Sequence, residues 1–190
     1  MNTDFIYEGE EYNLDDYKYT NDGSPAVYVG TYHKYNCGSI FGMWLDLTKF
    51  SDYEEFIDVC RYLHRDEEDP EFMAQDYEGF PERYYTEGFI SEEQFDKIIE
   101  YYDLDDDDKE MLEAYLEWQN CDDADISDVR DACKGRWNSE EDFAYDYVES
   151  SRMLDGIPDE VARYFNYSAF TRDLFMDYYF DGTFVWDSNC

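Results

Sequence analysis

Fifty acidic residues stand against fourteen basic ones in this chain. Any fold it adopts must carry a formal charge of −36 over 190 residues. Self-repulsion on that scale opposes compaction, and high net charge marks many disordered chains. Disordered chains are poor in aromatics, however, and here aromatics make up 21% of the residues, with 21 Tyr, 14 Phe and 4 Trp. The chain therefore has the material for a packed core under an acidic skin. Such a surface repels nucleic acid and anionic membranes and attracts basic grooves. Adaptation to high salt would also give an acidic skin, but with acid spread evenly. Here the acid falls in stripes on particular helices.

Several classes of chemistry find no support. The five cysteines are odd in number and none form a CxxC pair, which points to reduced thiols in a cytoplasm, not to a disulfide framework or a zinc site. The N-terminus is acidic and lacks the apolar stretch of a signal peptide. No apolar run is long enough to span a membrane. Asp103 to Asp108 invites a calcium-loop reading. Counted from Asp103, however, positions six and twelve hold Asp108 and Ala114 where Gly and Glu are required. His33 and His64 have no Cys or His at metal-binding spacing and read as surface or packing residues. No nucleophile elbow, phosphate loop or HExxH motif is present. A carboxylate-pair hydrolase leaves no local signature. The expectation is a protein that is not an enzyme and holds no cofactor and no metal.

Along the chain, residues 1–24 read as a polar, Tyr-rich N-terminal extension, a tail or an arm that packs on the body. An α+β domain follows over 25–87. Ala26 to Thr31 and Ser39 to Leu47 are β-rich runs joined by the loop-type cluster Tyr35 to Gly38. Ser51 is the expected cap of a helix bearing Phe56, Val59, Cys60 and Leu63 at helical spacing. Phe72 to Tyr77 reads as a strand. A helical middle spans 88–121. There Ser91 and Gln94 form a capping-box pair ahead of Phe95, Ile98, Ile99 and Tyr102. A second helix starts in the Asp105 to Asp108 run, with Met111, Leu112, Tyr115 and Leu116 facing inward. The last segment, 122–190, is again α+β. It has a helix capped by Ser139, short helices near 161–165 and 169–175, and a hairpin turn at Asp181-Gly182.

On the first middle helix Glu92, Asp96, Glu100 and Asp103 share one face. On the second, Asp106, Glu110, Glu113 and Glu117 do the same. Asp142, Asp146 and Glu149 make a shorter stripe in the last segment. Like charges at i,i+4 cost a helix a few tenths of a kcal/mol per pair, so a sequence shaped for stability alone would place Lys among them. Duplex DNA carries one charge per about 1.7 Å, so −36 matches the phosphates of about 60 Å of duplex as an upper bound.

Four segments together resemble the ArdA antirestriction proteins carried by plasmids and conjugative transposons. They are Ala26 to Leu47 (AVYVGTYHKYNCGSIFGMWLDL), Gln75 to Pro81 (QDYEGFP), Gly135 to Tyr147 (GRWNSEEDFAYDY) and Gly156 to Leu174 (GIPDEVARYFNYSAFTRDL), followed by the aromatic hairpin. The likeness covers about residues 25–187. Asn166 and Ser168 depart from it, standing where acid is expected. The resemblance implies an elongated α+β chain of three small domains that forms homodimers. It also implies inhibition of type I restriction-modification enzymes by imitation of bent DNA. The family's antirestriction motif maps near Ile126 to Trp137, which makes Ile126, Val129 and Trp137 the expected dimer contact. The aromatic content of the last segment (Trp137, Phe184, Trp186) also points to self-association.

The resulting expectation is a cytoplasmic bacterial DNA mimic whose partners are a type I restriction-modification enzyme and a second copy of itself, with no nucleic acid and no membrane. An acidic module for another basic DNA-binding protein is the alternative.

Overall fold

The computed structural model describes residues 4–7, 10–86 and 88–189. It combines α-helices with small antiparallel sheets, in keeping with the expected α+β class. The chain divides into two compact units, Met1–Asp105 and Asp106–Cys190. The segment 88–121, expected as a middle domain, is shared between them.

The first unit opens with a hairpin of β1 (Asp4–Tyr7) and β2 (Glu10–Asn13) and a 3-10 turn at Leu14–Tyr17. The expected arm does pack on the body. Leu14, Tyr17 and Tyr19 are buried, and the Tyr17 hydroxyl donates to Glu55 at 2.7 Å while its ring stacks on Phe50. Strand β3 (Ala26–Thr31) lies between β4 (Met43–Asp46) and β5 (Phe72–Glu78), all antiparallel. Ala26, Val27 and Val29 are fully buried, so β3 buries side chains on both faces of the sheet. Helix α2 (Tyr53–Leu63) buries Phe56, Val59, Cys60 and Leu63, the residues read at helical spacing. Helix α3 (Glu92–Asp103) adds Phe95 and Ile98 to the same core.

Local details differ from the sequence reading. Within Ser39 to Leu47 only Met43–Asp46 pairs as strand. Gly42 before it runs so close to Val29 that a Cβ would meet the Val29 carbonyl oxygen. Tyr35-Asn36, expected as loop, ends a short helix α1 (Tyr32–Asn36), whose Thr31 side chain accepts from the Lys34 N–H. The cap of α2 is Asp52, not Ser51; Ser51 instead donates to Glu55, four residues on. Tyr102 is exposed and Tyr101 packs in its place, its ring against Tyr84 and under Arg83.

The second unit contains α4 (Asp106–Gln119), α5 (Ile126–Ala132), β6 (Cys133–Arg136), α6 (Glu140–Ser150), α7 (Asp159–Ala162), α8 (Tyr167–Leu174), β7 (Tyr178–Phe180) and β8 (Phe184–Asp187). Strand β8 is central, in the order β6-β8-β7, and buries Phe184, Val185 and Trp186. The expected turn at Asp181-Gly182 is formed. Gly182 has φ +104°, and the Asp181 carboxylate accepts from the Thr183 and Phe184 amides and from the Trp186 indole. Helix α7 begins earlier than expected because Pro158 leads it in, and α8 because Asn166 caps it through the Ala169 amide.

Candidate partner-binding surface

Helices α3, α4 and α6 are each anchored by a narrow apolar face: Phe95 and Ile98, Leu112 and Leu116, and Phe143, Ala144 and Val148. Fixing those faces inward turns the acidic stripes outward. Glu92, Asp96, Glu100 and Asp103 on α3 are exposed, as are Asp106, Glu110 and Glu117 on α4 and Asp142, Asp146 and Glu149 on α6; Glu113 is half-buried. One helical turn separates neighbours in a stripe, about 6 Å along the axis.

The ion pairs leave most of these acids free. Lys97 bonds Glu93, Lys134 bonds Asp187 and Arg172 bonds Asp173, all beside the stripes rather than on them. Among the described residues Glu92, Asp96, Glu100, Asp103, Asp106, Glu117, Asp142, Asp146 and Glu149 form no ion pair.

Glu110 is paired. Arg136, at the end of β6, places Nη1 and Nη2 on its two oxygens at 2.7 and 2.8 Å and also reaches Asp107 at 3.2 Å. The same guanidinium lies over the Phe184 ring, 4.5 Å from its centroid. These hydrogen bonds hold the Glu110 carboxyl below the usual carboxylate range and push the Arg136 guanidinium up. Arg130 on α5 binds Asp108 in the same manner, lowering its carboxyl. Both cations lie within Ile126 to Trp137. The sequence offered no signal for their partners, which are 22 and 26 residues away.

Beside Arg136, helix α4 and the β7–β8 hairpin enclose an open cavity of about 490 Å³, lined by Glu110, Glu117, Trp118, Tyr179, Asp181 and Phe184, with Ala114 and Thr183. Trp118 lies between Tyr179 and Trp186, stacked on both.

In the first unit His64, Asp66 and Glu67 converge, with ligand-type atoms within 4.8 Å of one another. Lys34 sits among them, its Nζ 2.7 Å from Asp66, 2.9 Å from Glu67 and 3.0 Å from His64 Nδ1. Burial opposes the Lys34 charge, but the bonds to Asp66 and Glu67 outweigh it and hold the ammonium above its ordinary value. The ammonium takes the place that a metal cation would occupy. His64 is fully buried, a packing residue and not a surface one.

Of the expected dimer contacts, Val129 is fully buried in the core, while Ile126 and Trp137 are half-buried; the Trp137 indole donates to the Lys134 carbonyl. Phe184 and Trp186 fill the core of their own unit, so they offer no surplus apolar surface. That surface comes instead from Met153, Ile157, Val161, Tyr164 and Met176, which are all exposed.

The antirestriction protein profile of ArdA matches residues 27–185. The chain belongs to the ArdA antirestriction family. The match takes in all of the four segments that resembled ArdA except Ala26, and it spans both compact units. No curated protein and no solved structure matches the chain. As an ArdA protein it falls in a family of inhibitors directed at restriction-modification. No helix among the described residues is long and apolar enough to cross a membrane.

Proposed function

We propose that this ArdA protein blocks type I restriction-modification enzymes by presenting its helical carboxylates where the enzyme would bind DNA phosphates. The observation that supports the reading is the freedom of the stripes: their acids face solvent and most lack an internal cation, at a cost in like-charge repulsion. A basic groove supplies the missing counter-charge. Binding is stoichiometric competition, the sum of many modest contacts, and no bond is made or broken. It weakens with salt as DNA binding does.

The protein acts in the bacterial cytoplasm as a homodimer, and the exposed apolar residues from Met153 to Met176 favour self-association through the second unit. The test is displacement of labelled duplex DNA from a type I enzyme at two salt concentrations. Wild-type protein displaces DNA, and less so at high salt. Failure with every type I enzyme tried, alongside tight binding to another basic protein, would replace this reading with that of a general acidic module.

A further inference from the structure

The cavity between α4 and the β7–β8 hairpin has a composition that selects one kind of ligand. Its volume, about 490 Å³, lies in the range of small-molecule and side-chain pockets. Its carboxylates are not equivalent. Asp181 spends both oxygens on the Thr183 and Phe184 amides and the Trp186 indole. Glu110 spends both on Arg136. Glu110 is thus engaged by a cation and Asp181 by three N–H donors. Glu117 has no ion pair among the described residues and is exposed. The aromatic wall is Tyr179, 42% exposed, backed by Trp118 in a near-parallel stack at 5.4 Å.

One free carboxylate is too few for a divalent cation, which needs several oxygen ligands. The surrounding charge excludes anions. A planar cation suits the site: a guanidinium can stack on an aromatic face and pair with a carboxylate through two parallel N–H bonds. The same chemistry is already present beside it. The chain's own Arg136 lies over Phe184 with two nitrogens on Glu110, and both residues line this cavity.

We infer that the cavity is a receptor for an arginine side chain, and that in the inhibited complex this arginine comes from the DNA groove of the restriction enzyme. The second clause rests on the proposed function. A single aromatic and carboxylate pocket would give the acidic surface a point of register that evenly spaced charges lack.

The first arm of the test uses N-acetyl-arginine amide as probe and follows the tryptophan indole N–H signals of the intact protein by NMR. The Trp118 signal should shift with arginine amide, and less with N-acetyl-lysine amide. Glu117→Gln should weaken the binding about tenfold, the scale of one charge-assisted contact. This change is on an exposed side chain and leaves the fold in place. Tyr179→Leu should also weaken binding, and the dispersion of the remaining indole signals reports whether that variant is folded. An unmoved Trp118 signal, or an equal response to lysine amide, overturns the receptor. The second arm is DNA displacement. If wild type displaces DNA and folded Glu117→Gln does so equally well, the enzyme's arginine does not use this pocket and the proposed function stands. If wild type displaces no DNA while Trp118 still responds to arginine, the proposed function and the enzyme as source fall together.

Discussion

Glu110 of helix α4 accepts hydrogen bonds from both terminal nitrogens of Arg136 on strand β6, at 2.7 and 2.8 Å, while that guanidinium covers the Phe184 ring. The contact fixes one carboxylate of the α4 stripe and at the same time neutralises it. Arg136→Gln should therefore raise the Glu110 carboxyl pKa toward its ordinary value, read by side-chain carboxyl NMR. Exposed ion pairs contribute little to stability, so Tm should move by no more than ~3 °C. DNA displacement should be retained or improved, since a cation has left the acidic face. A large loss of displacement would show that Arg136, not the freed carboxylates, carries the contact.

His64 predicts a pH dependence. Its ring is buried, Nδ1 faces the Lys34 ammonium at 3.0 Å, and Nε2 is 3.3 Å from the Val29 carbonyl. Asp66 and Glu67 are its nearest acids, and Phe41 and Phe72 contact its ring. Burial, and then the Lys34 charge, push its pKa below the ordinary value. The neutral ring donates from Nε2 and accepts from Lys34. The unfolded chain binds a proton at about pH 6.5, where the folded chain does not. Stability from this group is thus complete above about 6.5 and is lost as pH falls through the lowered folded value. Protonation of surface carboxylates at lower pH relieves repulsion and acts in the opposite direction. Thermal melts between about pH 7 and 5.5 should show a falling Tm in wild type and a flatter profile in His64→Gln. Parallel profiles would sink the assignment.

The proposed homodimer makes a further prediction: Val161 and Tyr164 are 58% and 82% exposed. Val161→Asp combined with Tyr164→Asp should raise the dimer dissociation constant at least tenfold in sedimentation while leaving the circular dichroism unchanged. Val129→Ala should behave differently. Val129 is a core residue, so its truncation costs folding stability, about 1–3 kcal/mol, before it costs association. A dimer indifferent to both aspartates would place the interface elsewhere.

Legibility in the sequence followed the range of the interactions. The Ser91–Gln94 capping box, the Phe95 and Ile98 face, the β3 run and the Asp181-Gly182 turn are set by neighbours within a few residues, and each appears in the structure. The stripes were readable for the same reason, because helical period alone puts their members on one face. The Lys34 cluster joins residues about 30 apart, and Trp118 on α4 meets Tyr179 on β7 with five elements between them in the chain. No local pattern encodes such pairs. Composition counts rings without showing where they pack, and the aromatic residues Phe184 and Trp186 of the last segment are core.

The α3 stripe gives the cleanest test of the mimic. Glu92, Asp96, Glu100 and Asp103 are exposed and none forms an ion pair among the described residues, so changing each to its amide breaks no internal contact of that kind. The fold should tolerate it. Glu92 lies in the first turn, where negative charge favours the helix, and losing it costs a few tenths of a kcal/mol. Asp103 lies in the last turn, where its charge is unfavourable, and relief of the i,i+4 repulsion adds a similar gain. The two effects offset, and the Ser91–Gln94 capping box is untouched. Binding should respond differently. Glu100→Gln alone should change DNA displacement by less than about threefold, because one exposed charge contact is worth little. The fourfold variant should lose at least about tenfold, since the small terms add. Its dependence on salt should also be shallower, because fewer charges are matched in the groove. The difference between the two proteins should therefore shrink at the higher salt concentration. A folded fourfold variant that displaces DNA as well as wild type at both concentrations would remove α3 from the binding surface.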